Sequence, residues 1–179
     1  MCGKFYIDDE TRKLVGSDDQ KDQLPSDQIA VIISHQGKLV SVKMEWGYTH
    51  PLIPQRIINA KCETILEKKM FKDDVLYRRC VIASKGFYEW DQAHHQISFE
   101  SKNDKQLFMA GIYHDKQVVI ITTKANEVMK PIHSRMPLFI SRQDMKDWLT
   151  NPLLLDKFLK QTNDEIKIVS GHLQQTLFE

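Results

Sequence analysis

Little in this chain could tie it together covalently or through a metal. Only three of its 179 residues are cysteine, Cys2, Cys62 and Cys80. An odd count, with no CxxC pair and no Cys/His cluster at zinc spacing, argues against a disulfide framework and a structural metal. Free thiols in a reducing, cytoplasmic compartment are expected, with no metal and no cofactor. No apolar run approaches the roughly 18 residues of a membrane span, and the start of the chain lacks the apolar core of a signal peptide. An excess of one charge is missing too: 25 Lys and Arg face 24 Asp and Glu, a net charge of +1. Any attraction for an anion must therefore come from a local patch and not from the field of the whole protein. Repeats, low-complexity tracts and linkers are absent, so residues 1–179 read as one domain, expected to be a monomer.

Apolar residues make up 41% of the chain, with eight Phe and five Tyr, enough for a packed core. To about Ser26 the chain is polar and acidic and reads as a loop or short helix. Ile29 to Ser34 is a β-branched apolar run, a buried strand. After the turn at Gln36-Gly37, Leu39 to Trp46 alternates apolar and polar, so the two segments form a hairpin. Two prolines make Thr49 to Ile58 irregular. Ile65, Leu66, Met70 and Phe71 recur at helical spacing and predict a helix over Glu63–Phe71. Five strands follow closely, Arg79–Ala83, Gly86–Asp91, Gln96–Ser101, Leu107–Tyr113 and Gln117–Thr123, as in an antiparallel meander. Ser141 with Asp144 opens a helix, Pro152 restarts a second one through Phe158, and Ile166–Val169 is a closing strand. The fold class is α+β: a curved, mostly antiparallel, barrel-like sheet with a few peripheral helices.

Some polar residues exceed what such a core needs. Cys2 follows Met1 in the run Met1-Cys2-Gly3-Lys4-Phe5. Loss of Met1 would leave an α-amine and a thiol on adjacent carbons. The amine condenses with an aldehyde to an imine, and the thiol closes a five-membered thiazolidine. The two groups titrate near ~8 and ~8.5, so both have reactive fractions at neutral pH. Gly3, without a Cβ, lets the backbone there pass close to something. Asn59, before Ala60-Lys61-Cys62-Glu63, reads as a helix cap or as a site residue. Glu89, between Tyr88 and Trp90, either turns to solvent or is desolvated; desolvation raises its pKa and suits it to proton transfer. His133 lies in a loop with the cation Arg135 two residues on, suited to a phosphate or carboxylate. Trp46, before Gly47, is either core or an exposed ring able to stack on a base.

Taken together, four strings resemble one family. MCGKF at the start, INAKCET at 58–64, RRCVIASKGFYEW at 78–90 and IHSRMP at 132–137 occur in the order and rough spacing of the SOS-response-associated peptidase (SRAP) family. The resemblance covers nearly the whole chain. It implies an abasic-site-processing protein that crosslinks itself to single-stranded DNA through a thiazolidine on Cys2, after Met1 is removed. By resemblance Asn59 holds Cys2, Glu89 assists sugar ring opening and proton transfer, and His133 is a second acid/base that supports reversal. Lys4, Lys61, Thr122 and Arg135 fall where the family contacts phosphates. Peptidase-type removal of residues preceding the cysteine, and lyase action at the abasic site, are also implied. The chain departs from the family pattern at Lys4 and Lys61, where arginine is usual; lysine keeps the charge and loses the bidentate fork. The residues leave two other readings open. One is an N-terminal-nucleophile amidohydrolase or peptidase, with Cys2 attacking an amide and Gly3 and Asn59 supplying oxyanion donors. The other is a non-catalytic single-strand binder using Trp46, Arg135 and the lysines.

Overall fold

The computed structural model describes residues 2–103, 105–162 and 166–170. β1 (Lys4–Tyr6) leads into α1 (Asp9–Val15), capped by Asp8, whose carboxylate accepts the Thr11 N–H at 2.8 Å. β2 (Asp22–Gln23) precedes the hairpin of β3 (Gln28–His35) and β4 (Lys38–Trp46). Gln36 and Gly37 both take positive φ, 50° and 77°, the two-residue turn whose twist suits the flanking strands. β5 (Tyr48–His50) and β6 (Ile53–Ile57) form a small second hairpin, and β7 (Asn59–Lys61) follows. Then come α2 (Lys69–Tyr77), β8 (Arg79–Ser84), β9 (Gly86–Trp90), β10 (Gln96–Ser101), β11 (Leu107–His114), β12 (Gln117–Lys124) and β13 (Arg135–Pro137). α3 (Met145–Thr150), a 3-10 turn at Pro152–Leu154, α4 (Leu155–Lys160) and β14 (Ile166–Ser170) complete the order. Among the described residues no helix is long and apolar enough to cross a membrane.

Apart from the two-stranded β5–β6 sheet, two sheets share the strands. One runs β14-β10-β9-β1-β2, antiparallel throughout. The other runs β11-β8-β3-β4-β12-β13, and β12 pairs with β11 as well, so this sheet closes on itself; β7 also pairs with β12. The five strands expected as a meander are therefore divided: β9 and β10 leave β8, β9 pairing with β1 and β10 with β9 and β14. Gly86 makes that departure possible, because a Cβ there would lie 2.4 Å from the Phe99 carbonyl oxygen on β10. Two contacts in the closed sheet are parallel, β4 with β12 and β7 with β12.

All six residues of β8 are buried, because the closed sheet has a core on each face. Val81 and Ala83 pack outward with Phe71, Val75, Trp148 and Phe158 of the helices. Cys80 and Ile82 pack inward with Phe5, Phe87, Phe99, Trp46 and Cys2. Arg79 is also buried, and its guanidinium donates to the carbonyls of Val75 and Leu76 at 2.8 and 2.7 Å and to that of Trp148. These carbonyls lie in the last turns of α2 and α3, which have no further helical partner. Arg79→Met is expected to destabilise the fold by about 2–4 kcal/mol, since it strands several buried acceptors. Urea unfolding checks this; a loss within about 0.5 kcal/mol, the range of an ordinary surface substitution, would refute it.

Three local expectations need correction. The segment Glu63–Phe71 is not one helix. Its first part is a hydrogen-bonded turn, with Thr64 O accepting from Glu67 and Lys68, and extended backbone at Lys68 (ψ 118°) starts α2 only at Lys69. Ile65 and Phe71 pack into the same core from these separate segments, which produces helical spacing without a continuous helix. Thr49–Ile58 is not irregular, because β6 is an edge strand and tolerates Pro54 with its ring exposed. Asn59 caps no helix; it starts β7.

Candidate active site around Cys2

Cys2 is held where the two sheets meet. The register Lys4↔Tyr88 and Phe5↔Phe87 lays β1 along β9 and carries the chain's first residues toward Glu89. From the other sheet, β7 pairs parallel with β12, Asn59 opposite Ile120. There Asn59 donates its Nδ2–H to the Cys2 carbonyl at 2.9 Å. Asn59 Oδ1 is buried and has no hydrogen-bond partner among the described residues. Cys2 itself is fully buried, and its thiol reaches no closer than 4.0 Å to the Lys4 carbonyl. Burial drives that thiol far above its ordinary value, and the nearby Glu89 carboxylate raises it further.

On β9, Phe87 and Glu89 point inward while Tyr88 and Trp90 point out, so Glu89 is only 2% exposed. Burial pushes its carboxyl above the usual carboxylate range, and the charge of His133 opposes this. His133 lies in the loop between β12 and β13. The Asn126 side chain braces that loop by accepting the Met129 N–H at 3.0 Å, and Met129 O accepts the His133 N–H at 2.9 Å. The backbone N–H of Arg135 donates to His133 Nδ1 at 2.9 Å. Nδ1 also lies 3.1 Å from Arg135 O; with Nδ1 accepting the shorter bond, the proton of the neutral ring is assigned to Nε2.

The cations expected to meet phosphate are differently placed. Arg135 forms a bidentate pair with Glu63, Nη1 to Oε1 at 2.7 Å and Nη2 to Oε2 at 2.9 Å. Its Nη2 also donates to Thr122 O at 2.7 Å and Thr122 Oγ1 at 3.3 Å. Thr122 is fully buried, so it contacts Arg135 and presents no surface of its own. Lys4 pairs with Asp22 at 2.8 Å and lies over the Tyr88 ring, 4.6 Å from its centroid. Lys61 is exposed. Trp46 does not offer a ring for base stacking. It is fully buried 5.2 Å from the Phe5 ring, and its Nε1–H donates to Ile58 O at 3.2 Å. Gly47 after it has φ 108°, and the Arg56 stem lies where a Cβ would be. Glu63 escaped the sequence reading because its helical assignment gave it no tertiary role. Its one signal was a carboxylate in the same string as Asn59 and Lys61.

Clefts of 660 and 830 Å³ open on the surface without Cys2 in their lining, the smaller one bordered by Glu63, and Cys2 itself is fully buried. Among the described residues, no cluster of three or more His, Cys, Asp or Glu side chains is placed to hold a metal ion. The three cysteines are free and buried.

Comparison with known proteins gives relatives along most of the chain. A protein of Bacillus subtilis called abasic site processing protein YoqW is 28% identical over 194 residues, spanning 89% of this chain and 87% of its own. A second, YoaM of the same organism, is 33% identical over 146 residues, covering 72% and 64%. Escherichia coli YedK, also called an abasic site processing protein, is 25% identical and covers 83% and 79%. The fold matches the crystal structure of a Bacteroides thetaiotaomicron protein with a TM-score of 0.78 at 20% identity, over 93% of this chain and 90% of that one. The family model for SOS response associated peptidase (SRAP) matches residues 1–172, and the chain belongs to that family.

Proposed function

We propose that this protein processes abasic sites in single-stranded DNA by joining the open-chain aldehyde to Cys2 as a thiazolidine. The observation that carries this reading is Cys2 itself, fixed through its carbonyl by Asn59 and set beside the buried carboxyl of Glu89. Met1 lies outside the described residues; its removal is part of the proposal and supplies the α-amine. That amine attacks the C1′ aldehyde, and the carbinolamine loses water to give an imine. The thiol sulfur then adds to the imine carbon while its proton passes to nitrogen, so nothing is oxidised or reduced. A thiol held protonated by burial suits this order, amine first and thiol second. It suits thiolate attack on an amide less well, which weakens the amidohydrolase reading. Glu89, favoured neutral by burial, donates a proton as the sugar ring opens and as water leaves. His133 Nε2–H serves as the second proton donor, and Asn59 Oδ1, buried without a partner among the described residues, is an available acceptor. Peptidase-type removal of whatever precedes Cys2 and lyase action at the lesion belong to the same reading.

Incubation with an abasic single strand, followed by a denaturing gel, tests it. A band that survives heat and detergent is expected, weaker with duplex because a paired strand obstructs access to a buried residue. Salt-sensitive binding without such a band would overturn the proposal. Protein carrying an uncleavable residue before Cys2 should give no band at all, because an amide nitrogen does not condense with an aldehyde. Mass spectrometry of the active protein should show Met1 lost; full activity with Met1 retained would rule out the amine as nucleophile.

A further inference from the structure

We propose that Glu63 is an internal stand-in for a DNA phosphate, occupying the Arg135 fork until a backbone phosphate displaces it. This rests on the DNA-binding reading above and goes beyond it, because it makes Glu63 the residue that sets affinity for the strand. Its two oxygens meet the two terminal nitrogens of Arg135 end-on, the geometry a phosphate would adopt. The guanidinium is anchored from a second side by Thr122 O and Oγ1, so the fork stays in place when its partner leaves. Arg135 Nε is buried with no acceptor among the described residues, so the guanidinium retains a donor that the Glu63 pair does not use.

The exchange is also sterically open. The Arg135 side chain is 13% exposed and that of Glu63 is 37%, so the carboxylate is the outer, accessible member. Glu63 belongs to the turn after β7, not to a strand or helix. It borders the 660 Å³ cleft, where Thr123, Lys124 and Lys130 can receive the displaced carboxylate. The Arg135 hydrogen bonds hold its carboxyl below the usual carboxylate range, so it competes as a full charge at neutral pH. While the pair is closed it is electrically neutral, and Arg135 adds nothing to the small net charge of +1.

The test is the affinity of an undamaged, fluorescent oligothymidine strand for the full chain, measured by anisotropy across a salt series. Glu63→Gln should tighten binding by about three- to tenfold and steepen the log–log salt slope by about 0.7, one added phosphate contact on a single strand. Glu127→Gln removes the same charge from an 86% exposed carboxylate of the neighbouring loop, and it should leave the slope unchanged. Glu63→Asp keeps the charge and should leave affinity close to that of the unmodified chain. In an Arg135→Ala background, Glu63→Gln should not move the slope. Weaker binding by Glu63→Gln would overturn the proposal and make Glu63 a support for Arg135. An equal gain from Glu127→Gln, or a gain without a change of slope, would overturn it as general electrostatics. The abasic-strand gel on the same preparations separates the two readings. A covalent band with no effect of Glu63→Gln on affinity refutes only this inference, and absence of the band refutes the proposed function.

Discussion

Cys2→Ala is expected to remove every heat-stable protein–DNA adduct while reversible binding of the strand persists. The reason is connectivity. A thiazolidine needs an α-amine and a thiol on adjacent carbons, and only a cysteine at the start of the chain has both. Cys62 and Cys80 are internal, and the Cys62 nitrogen is an amide that donates to Thr122 O at 2.9 Å. Cys80 is fully buried under the closed sheet. The substitution should spare the fold, because it removes one small buried sulfur and costs roughly 1 kcal/mol. The alanine variant still exposes an α-amine once Met1 is gone, so its imine can form and hydrolyse. Borohydride should trap that imine, and likewise with Cys2→Ser, whereas without reductant neither should survive the gel. A heat-stable adduct from Cys2→Ala in the absence of reductant, lost instead in Cys80→Ala, would place the chemistry elsewhere.

Local patterns in the chain were enough to locate most strands. β3 and β4 follow from their alternation and from Gln36-Gly37, and β8 to β12 follow from apolar runs broken by polar turns. Which strands pair is another matter. The contacts that build the site join Lys4 to Tyr88 and Asn59 to Ile120, and no local period encodes partners so far apart. The same gap explains Trp46: its burial depends on Phe5, which β1 brings across from the other sheet. It also explains Arg135, which reads as a free cation until the fold sets Glu63, 72 residues away, against it. Helical spacing misled at Ile65 to Phe71 because two separate segments dip into one core. Cys2 stands out by its aminothiol chemistry and Asn59, Glu89 and His133 as polar residues beyond what a core needs, while their roles come from the motif resemblance. On periodicity alone Asn59 was a cap and Glu89 had even claims to solvent and interior. The structure sends Glu89 inward, by the alternation of β9 against a sheet whose inner face is apolar.

That inward carboxyl carries the second large effect. Glu89→Gln keeps the shape of the side chain and removes its titratable proton, so crosslinking should slow by roughly 100-fold, the usual scale for losing general acid–base catalysis. The adduct should still form in time, because an aminothiol and an aldehyde combine unaided. The pH profile separates a catalytic role from a structural one. The wild-type rate should rise as the α-amine loses its proton, near ~8. It should fall as pH climbs through the raised pKa of Glu89, where the acid form is lost. Glu89→Gln should keep the rise and lose the fall. Stability should move the opposite way. A carboxyl whose pKa is higher folded than unfolded is favoured neutral in the fold, and that contribution is present at low pH. It is lost as pH rises from the unfolded value, about 4.3, through the folded one. Above that raised pKa the wild type carries a buried charge that glutamine lacks, and there Glu89→Gln should melt at a higher temperature while reacting more slowly. At a pH well below the ordinary carboxylate range the two melting temperatures should converge. Rates matching wild type at every pH would make Glu89 a bystander in the chemistry. A variant that is both slow and less stable would mean that its carboxylate is structural, held by its neighbours and not poised for proton transfer.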